Sequence, residues 1–264
     1  MQDLKQIMNQ AQVVVKEAGK FIEDQAGKLR ENDVELKQHN NLVSFVDRTA
    51  EEMLVAGFKK IIPNSGFLTE EETTTILGKE YEWIIDPLDG TTNFVHGVPA
   101  YSVSVALRKN EKLVLGLVYD DVFGNCYHAI LGNGAFVDDL PIEVSKREKL
   151  ADSLIATGFP YYDFSKQEQY MKVFRHLIEN TRGIRRFGSA ALDLCHVARG
   201  TYECFYEHSL HAWDVAAGAL ILKEAGGVVS DFHAGDNWLF GSEIVAGNPA
   251  IQRELVQLTD KFFD

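Results

Sequence analysis

The sequence has few cysteines, no long apolar run and no apparent export signal. Its 3 cysteines, Cys126, Cys195 and Cys204, include no C-x-x-C pair. This pattern excludes a zinc ribbon and argues against a disulfide framework. The longest apolar run, residues 215–222, is far shorter than the roughly 20 residues of a membrane-spanning helix. Because no secretory signal opens the chain either, we expect a soluble, cytoplasmic protein.

Positive charge is also scarce. The chain has 26 Lys and Arg against 39 Asp and Glu, which gives a formal net charge of −13 and a pI near 5.1. An acidic protein of this kind is repelled by the phosphate backbone of nucleic acids, whereas it attracts divalent cations. With 264 residues and 45% hydrophobic composition, the chain can bury a core without disulfides or structural metals. The composition therefore favours a globular protein without a nucleic-acid partner.

Apolar periodicity predicts the order of helices and strands. Residues 4–22 and 50–61 each show the three- and four-residue spacing of an amphipathic helix. Residues 81–137 instead predict strands joined by turns so short that the strands must pair antiparallel. Helices and strands alternate after Pro141. We therefore predict an α+β protein whose two halves, residues 1–140 and 141–264, share one body layered as helix, sheet, helix, sheet and helix.

The greatest concentration of reactive residues lies in residues 83–94, Trp-Ile-Ile-Asp-Pro-Leu-Asp-Gly-Thr-Thr-Asn-Phe. A short apolar run predicts a buried strand that ends in two carboxylates, Asp86 and Asp89, on a turn shaped by Pro87 and Gly90. Carboxylates held on a rigid turn suit Mg²⁺. The same spacing is also typical of an Asx turn, in which the carboxylates cap backbone amides. The spacing alone leaves both interpretations open.

Two further acidic segments shift this balance. Residues 69–72, Thr-Glu-Glu-Glu, follow an apolar Phe-Leu pair, so that a second strand end presents carboxylates. Residues 213–218, Trp-Asp-Val-Ala-Ala-Gly, place Asp214 at the start of an apolar helix. Taken alone, the first segment is more simply a solvated charge run and the second a helix N-cap. Together with residues 83–94, they favour a shared metal site.

The three segments together resemble the inositol monophosphatase family of Mg²⁺-dependent, lithium-sensitive phosphatases. The resemblance is carried by residues 86–94, the Glu70-Glu71 pair and residues 213–218, and it extends over essentially the whole chain. It implies a five-layer αβαβα sandwich, a homodimer and a small phosphorylated substrate. It also implies hydrolysis of a phosphate monoester by a metal-activated water.

The resemblance further implies roles for individual residues. The ligands of two Mg²⁺ ions, with a third and weaker ion near Glu70, would be Glu70, Asp86, the carbonyl of Leu88, Asp89 and Asp214. Asp86 would bridge the two ions. Thr91, paired with Glu70, would orient the attacking water, and Asp47 would support Thr91. The substrate would contact Asp89, Gly90, Thr91, Gly188, Ser189, Ala190, Glu207 and Asp214.

Some residues depart from the family pattern or have no assigned role. Thr69 stands where a glycine often precedes the Glu-Glu pair, and Lys37 lies about one position from the usual lysine. The role of Lys37 therefore stays open. Arg182, Arg185 and Arg186 form a basic cluster with two interpretations, a solvated or interface surface and a contact to a second phosphate of the substrate.

The sequence is compatible with three functions. The leading hypothesis is hydrolysis of inositol monophosphate to inositol and phosphate. The same chemistry could instead serve NADP(H), fructose 1,6-bisphosphate or a phosphoadenosine, an alternative that the arginine cluster keeps open. A regulatory module associated with RNA or transcription is a different class of function. The net charge of −13 and the complete set of metal ligands argue against it, so we expect neither a nucleic-acid nor a membrane partner.

Overall fold

The N-terminal part of the chain forms two long helices separated by a hairpin. The computed structural model describes residues 3–29, 34–38, 41–74, 76, 78, 80–160 and 163–263. Helix α1 (Leu4–Gln25) buries the apolar face that its periodicity predicted. Strands β1 (Val34–Gln38) and β2 (Asn41–Ser44) pair antiparallel. Helix α2 (Phe45–Ile61) begins earlier than the predicted residue 50, because Ser44 caps its first turn.

A seven-stranded sheet follows helix α2. Its strands lie in chain order: β3 (Gly66–Thr69), β4 (Tyr81–Asp89), β5 (Ser102–Lys109), β6 (Lys112–Asp120), β7 (Cys126–Ile130), β8 (Ala135–Val137) and β9 (Leu140–Ile142). From β4 to β9 the pairing is antiparallel, as the short turns predicted. Strand β3 pairs parallel with β4. The sequence between these two strands is too long for a tight hairpin, so it does not impose antiparallel pairing.

The C-terminal part builds a second, mixed sheet of five strands. Its strand order is β11-β10-β12-β14-β13. The strands are β10 (Leu154–Thr157), β11 (Gly183–Arg185), β12 (Cys204–His208), β13 (Val228–Ser230) and β14 (Glu243–Gly247). Strand β10 runs parallel to β11 and β12, whereas β14 is antiparallel to β12 and β13. The remaining helices are α3 (Thr91–His96), α4 (Gln167–Asn180), α5 (Ala190–Ala198), α6 (Ala212–Glu224) and α7 (Pro249–Phe263).

The helices and sheets stack in five layers. Helices α1 and α2 cover the outer face of the seven-stranded sheet, where Phe58 of α2 stacks on Trp83 of β4 at 4.2 Å between ring centroids. Helices α5 and α6 lie between the two sheets, and α4 and α7 cover the other side. An ideal Cβ at Gly116 of β6 would lie 2.7 Å from the carbonyl oxygen of Ala217, so α6 packs directly on the strand. The predicted αβαβα sandwich is confirmed.

The predictions from the few cysteines and the short apolar runs can be compared with this architecture. All three cysteines are buried and free, in line with the odd count. Burial raises the pKa of the Cys126 thiol to about 11. Among the described residues, none of the helices combines the length and apolar character that a membrane span requires.

Candidate active site

Three aspartates from two elements converge where β4 ends. Asp86 and Asp89 belong to β4, and Asp214 lies in the first turn of α6. Residues three apart on a regular strand point to opposite faces, but the pairing of β4 with β5 shifts register between Asp86 and Asp89. This bulge brings both side chains to one side. As a result, carboxylate oxygens of the three aspartates lie within 4.8 Å of one another.

Burial and mutual repulsion dominate the electrostatics of this cluster. The pKa of Asp86 is raised well above its ordinary value by burial, and then by the charges of Glu70, Asp89 and Asp214. Burial also raises the pKa of Asp89 to about 6 and that of Asp214 well above its usual range. In the described part of the chain, no lysine or arginine forms an ion pair with any of the three aspartates. Closely spaced hard oxygen donors with no compensating cation among the described side chains fit a bound divalent metal ion.

The sequence offered backbone capping as an alternative role for these aspartates, and the structure shows it in part. Oδ1 of Asp86 accepts a hydrogen bond from the backbone N–H of Leu88 at 3.0 Å, as in an Asx turn. Asp214 is not the N-cap of α6; His211 is, and Oδ2 of Asp214 accepts from its N–H at 2.6 Å. Each bond engages a single carboxylate oxygen, so backbone capping and metal binding are compatible in the same residues.

Asp89 links the cluster to the loop before α5. Its Oδ2 accepts from the hydroxyl of Ser189 at 2.6 Å and from the backbone N–H of Ala191 at 2.8 Å. These hydrogen bonds oppose the rise in its pKa caused by burial. The predicted substrate loop, residues 188–190, therefore lies directly against a predicted metal ligand.

Glu70 joins the cluster from the adjacent strand. It follows β3, and its N–H donates to the carbonyl of Ile85 at 3.2 Å, which ties it to β4. A hydrogen bond between the carboxyl groups of Glu70 and Asp86 contributes to the raised pKa of Asp86. The preceding Thr69, where the family often has glycine, is buried in β3. Lys37 belongs to β1, but its side chain lies outside the described part of the structure.

Thr91 is held by a buried carboxylate of α2. Its Oγ1 lies 2.9 Å from Oδ1 of Asp47 and 3.0 Å from the carbonyl oxygen of Leu88. Oδ2 of Asp47 accepts from the N–H and the hydroxyl of Ser44, at 2.8 and 2.7 Å. The capping box that starts α2 therefore also fixes Asp47 next to Thr91. Burial raises the pKa of Asp47, whereas its hydrogen bonds lower it.

The sequence analysis missed a second buried carboxylate on α2. Glu51 accepts from the N–H of Glu71 at 2.8 Å and from the N–H and hydroxyl of Thr73 at 2.8 and 2.7 Å. It lies one helical turn after Asp47, on the same face, and this spacing was the available signal. Helix α2 thus positions both Thr91 and the segment that follows Glu70.

The turn at Gly90 requires glycine for two reasons. Its φ of +95° lies in the left-handed region, and an ideal Cβ would lie 2.9 Å from the carbonyl oxygen of Ala100 and 3.1 Å from that of Gly188. The side-chain amide of Asn93 donates to the carbonyls of Ala100 and Phe187, at 2.7 and 2.9 Å. The turn at residues 90–93 and the loop at residues 187–190 are therefore fixed to each other.

A cavity runs from the aspartates to a second group of polar residues. Glu207 of β12 is 7% exposed, and burial raises its pKa to about 8, although Arg186 acts in the opposite direction. Asp193 of α5 lines the same cavity and was missed by the sequence analysis, although it lies one turn after Ser189. Its Oδ1 has no hydrogen-bond partner among the described residues, and burial raises its pKa well above the usual range.

The predicted arginine cluster is divided in the structure. Arg186 lines the cavity, with its guanidinium carbon 5.9 Å from the ring centroid of Phe159. Arg182 pairs instead with Asp152 at 2.8 Å, and Arg185 is exposed and donates to a backbone carbonyl. A contact with a second substrate phosphate therefore remains an interpretation for Arg186 alone.

Comparison with known proteins decides the family. The model of the inositol monophosphatase family matches residues 3–262. The chain belongs to the inositol monophosphatase family. A putative Nus factor SuhB from Neisseria meningitidis serogroup B is 42% identical over 254 residues, which cover 95% of this chain and 97% of that protein. An inositol-1-monophosphatase from Mesorhizobium japonicum is 40% identical over 246 residues, which cover 92% of each chain.

The solved structures agree with this assignment. The crystal structure of the extragenic suppressor protein SuhB from Bartonella henselae has a TM-score of 0.93 and 38% identity, covering 97% of this chain and 98% of that one. The resemblance stated from the sequence is confirmed, and this chain is a phosphoric monoester hydrolase of a metal-dependent family.

Proposed function

We propose that this phosphatase hydrolyses a small polyol phosphate, inositol monophosphate first among them, to the free polyol and phosphate with Mg²⁺ as cofactor. One observation carries the proposal: a single cavity joins the three-aspartate cluster to the buried carboxylate of Glu207. The cluster offers oxygen donors for metal ions, and Glu207 offers an acceptor for hydroxyl groups. The name inositol-1-monophosphatase of a relative that is 40% identical supports the same substrate.

The donor set suits Mg²⁺, which prefers carboxylate and carbonyl oxygens. Glu70, Asp86 and the carbonyl of Leu88 would hold one ion, and Asp86, Asp89 and Asp214 a second. A third ion would rest near Glu70. When bound, Mg²⁺ lowers the pKa of a coordinated water and offsets the negative charge of the phosphate and of the leaving oxygen.

The attacking water would be oriented by Thr91. The Thr91 hydroxyl has one proton and two acceptors, Oδ1 of Asp47 at 2.9 Å and the carbonyl oxygen of Leu88 at 3.0 Å. We assign the proton to Asp47, because a charged carboxylate is the stronger acceptor. With that proton engaged, the Thr91 oxygen is left as an acceptor for a proton of the water. Asp47 thus sets the direction of the hydrogen bond, and the carboxylate of Glu70, which lines the same cavity, would accept a hydrogen bond from the second proton of the water. Thr91 and Glu70 would hold the water for in-line attack on phosphorus.

The remaining contacts would position the substrate. The backbone N–H groups of Gly90 and Thr91 would donate to phosphate oxygens, beside Asp89 and Asp214. The loop residues Gly188, Ser189 and Ala190, together with Glu207, would meet the hydroxyl groups of the leaving group. The proposal also includes a homodimer, inhibition by Li⁺ and a cytoplasmic location, as the family resemblance implies.

Thr91→Ala is expected to lower kcat and kcat/KM together by about 10–100-fold, because the hydroxyl orients water in the transition state. Affinity for Mg²⁺ should stay within about twofold of wild type, since Thr91 is not a proposed ligand. The measurement is phosphate release from inositol 1-phosphate, combined with a calorimetric Mg²⁺ titration. Thr91→Ser, which keeps the hydroxyl, is the matched control. Loss of Mg²⁺ affinity in parallel with activity would place Thr91 among the metal ligands instead.

Glu207→Ala tests the substrate class directly. A hydrogen bond to a charged group contributes about 1.5–3 kcal/mol, which corresponds to roughly 10–150-fold in kcat/KM. We expect a loss of this size on inositol 1-phosphate and a loss below about threefold on an aryl phosphate, which offers no hydroxyl group. Both rates are measured at saturating Mg²⁺ and above pH 8, because the raised pKa of Glu207, about 8, leaves its carboxylate charged only there. Equal losses on the two substrates would contradict a polyol-binding role for Glu207.

A second candidate function is suggested by the names of relatives. A protein 42% identical to this chain is named a putative Nus factor SuhB, which favours the alternative of a module associated with RNA or transcription. The net charge of −13 opposes direct binding to RNA. The test compares phosphate release with RNA binding at moderate salt. RNA binding without phosphate release from any small monoester would favour this second function.

A further inference from the structure

Gly158 lies beside Glu207 because of strand register. Strands β10 and β12 run parallel, with Thr157 opposite Tyr206. Gly158 follows Thr157 directly after the end of β10, and Glu207 follows Tyr206 within β12, so these two residues are neighbours at the same end of the sheet. Both line the cavity of the active site.

The Glu207 carboxylate occupies the space that a side chain at position 158 would need. An ideal Cβ on Gly158 would lie well under 3.0 Å, a separation that real Cβ atoms essentially never show, from both carboxylate oxygens and Cδ of Glu207. These are the three atoms nearest to that Cβ. The φ angle of Gly158 is not in the left-handed region. Glycine is therefore needed here to leave space for Glu207, and not to allow a left-handed backbone conformation.

Hydrogen bonds from buried side chains hold the backbone at Gly158 in place. The hydroxyl of Tyr170 donates to the Gly158 carbonyl at 2.7 Å, and Tyr170 is 2% exposed with its ring stacked on Tyr206 at 5.5 Å. Thr157 donates to the carbonyl of Tyr206 at 2.7 Å. These two hydrogen bonds fix the backbone at Gly158 and at Tyr206. A side chain at position 158 would therefore displace the Glu207 carboxylate rather than the backbone. The open side of the carboxylate is the cavity.

We propose that Gly158 is a specificity-determining position: by lacking a side chain, it lets the Glu207 carboxylate lie against the strand and keeps the cavity open for a polyol leaving group. Gly158 acts through Glu207 and is a positioning residue. The inference rests on the proposed function, because it matters only where Glu207 receives substrate hydroxyl groups. It predicts that a single methyl group at position 158 converts a polyol phosphatase into a less selective enzyme.

Gly158→Ala tests the inference at saturating Mg²⁺ and above pH 8, where Glu207 is charged. We expect kcat/KM for inositol 1-phosphate to fall about tenfold or more, as for a lost hydrogen bond to a charged group, and kcat/KM for an aryl phosphate to fall less than about threefold. A double-mutant cycle then asks whether the effect passes through Glu207. In the Glu207→Ala background the carboxylate is gone, so adding Gly158→Ala should change either rate by less than about twofold.

The cycle also covers a variant that fails to fold. If Gly158→Ala unfolds, the inference requires the double variant Gly158→Ala/Glu207→Ala to fold, because the clashing group has been removed. Additive losses in the cycle, equal losses on both substrates, or an unfolded double variant would each overturn the inference. If Glu207→Ala loses kcat/KM selectively on inositol 1-phosphate and Gly158→Ala does not, the inference about Gly158 is wrong and the proposed function stands. A Glu207→Ala enzyme without a selective loss overturns the proposed substrate, and the inference with it.

Discussion

Asp86→Asn is expected to lower kcat/KM for inositol 1-phosphate by about a thousandfold or more, even at saturating Mg²⁺. Asp86 is 2% exposed and is the proposed ligand of both ions. Neutralising it removes one negative charge from each ion site at once. Each tenfold loss corresponds to about 1.4 kcal/mol of barrier, and weakening both ions adds several such steps.

The measurement is phosphate release with Mg²⁺ raised until the rate no longer changes. Asp152→Asn is the matched control, because Asp152 is half-exposed and pairs with Arg182 away from the cavity. The control should keep wild-type activity. Retention by Asp86→Asn of more than about a tenth of the wild-type rate would contradict its assignment as the shared ligand.

The same variant has a second readout that is independent of turnover. A folded-state pKa above the unfolded value means that the folded protein binds more protons, so its stability falls as the pH rises. For Asp89 the fall lies between about pH 4 and its folded pKa of about 6, and for Asp86 and Asp214 it extends higher. In EDTA, wild-type Tm should therefore drop from pH 5 to pH 8 by more than the Tm of Asp86→Asn. An equal drop would contradict the raised pKa of Asp86, which burial causes first and repulsion by the neighbouring carboxylates second.

Asp214→Asn is expected to lower kcat/KM by about a hundredfold, less than Asp86→Asn, because Asp214 is a proposed ligand of one ion only. Asparagine keeps a side-chain oxygen that can accept from the N–H of His211, the bond that begins α6. The change therefore removes charge without removing the cap. Excess Mg²⁺ should restore part of the activity, since the weakened site can still be filled by mass action.

The two aspartates are distinguished by a Mg²⁺ titration of the rate. Asp214→Asn should show a half-saturating Mg²⁺ concentration shifted upward, by about tenfold or more, with a substantial plateau. For Asp86→Asn the rate should stay low at every Mg²⁺ concentration. Identical titration curves for the two variants would contradict a bridging role for Asp86 and a single-ion role for Asp214.

Most of the architecture could be predicted from periodicity and turn length. The helix predicted over residues 4–22 is α1 (Leu4–Gln25), and the strands predicted over residues 81–137 pair antiparallel from β4 to β8. The early start of α2 was missed because it depends on the capping box of Ser44 and Asp47 rather than on apolar spacing. The parallel pairing of β3 was missed because a long connection leaves strand direction open.

The candidate site could be predicted only where its residues are close in sequence or carried by the family resemblance. Asp86 and Asp89 stand out as neighbours on one strand end, whereas their meeting with Asp214 depends on how α6 packs against the sheet. The placement of Gly158 against Glu207 depends on the register of two strands. No local pattern encodes that register, so neither spacing nor composition could have revealed it.

The most direct test of the central claim is phosphate release from inositol 1-phosphate while Mg²⁺ is titrated into protein stripped of metal with EDTA. The account predicts no detectable release without metal, a saturable rise with Mg²⁺ in the wild type, and a flat response in Asp86→Asn. Release that is undiminished in EDTA, or a wild type that stays inactive at every Mg²⁺ concentration, would contradict it.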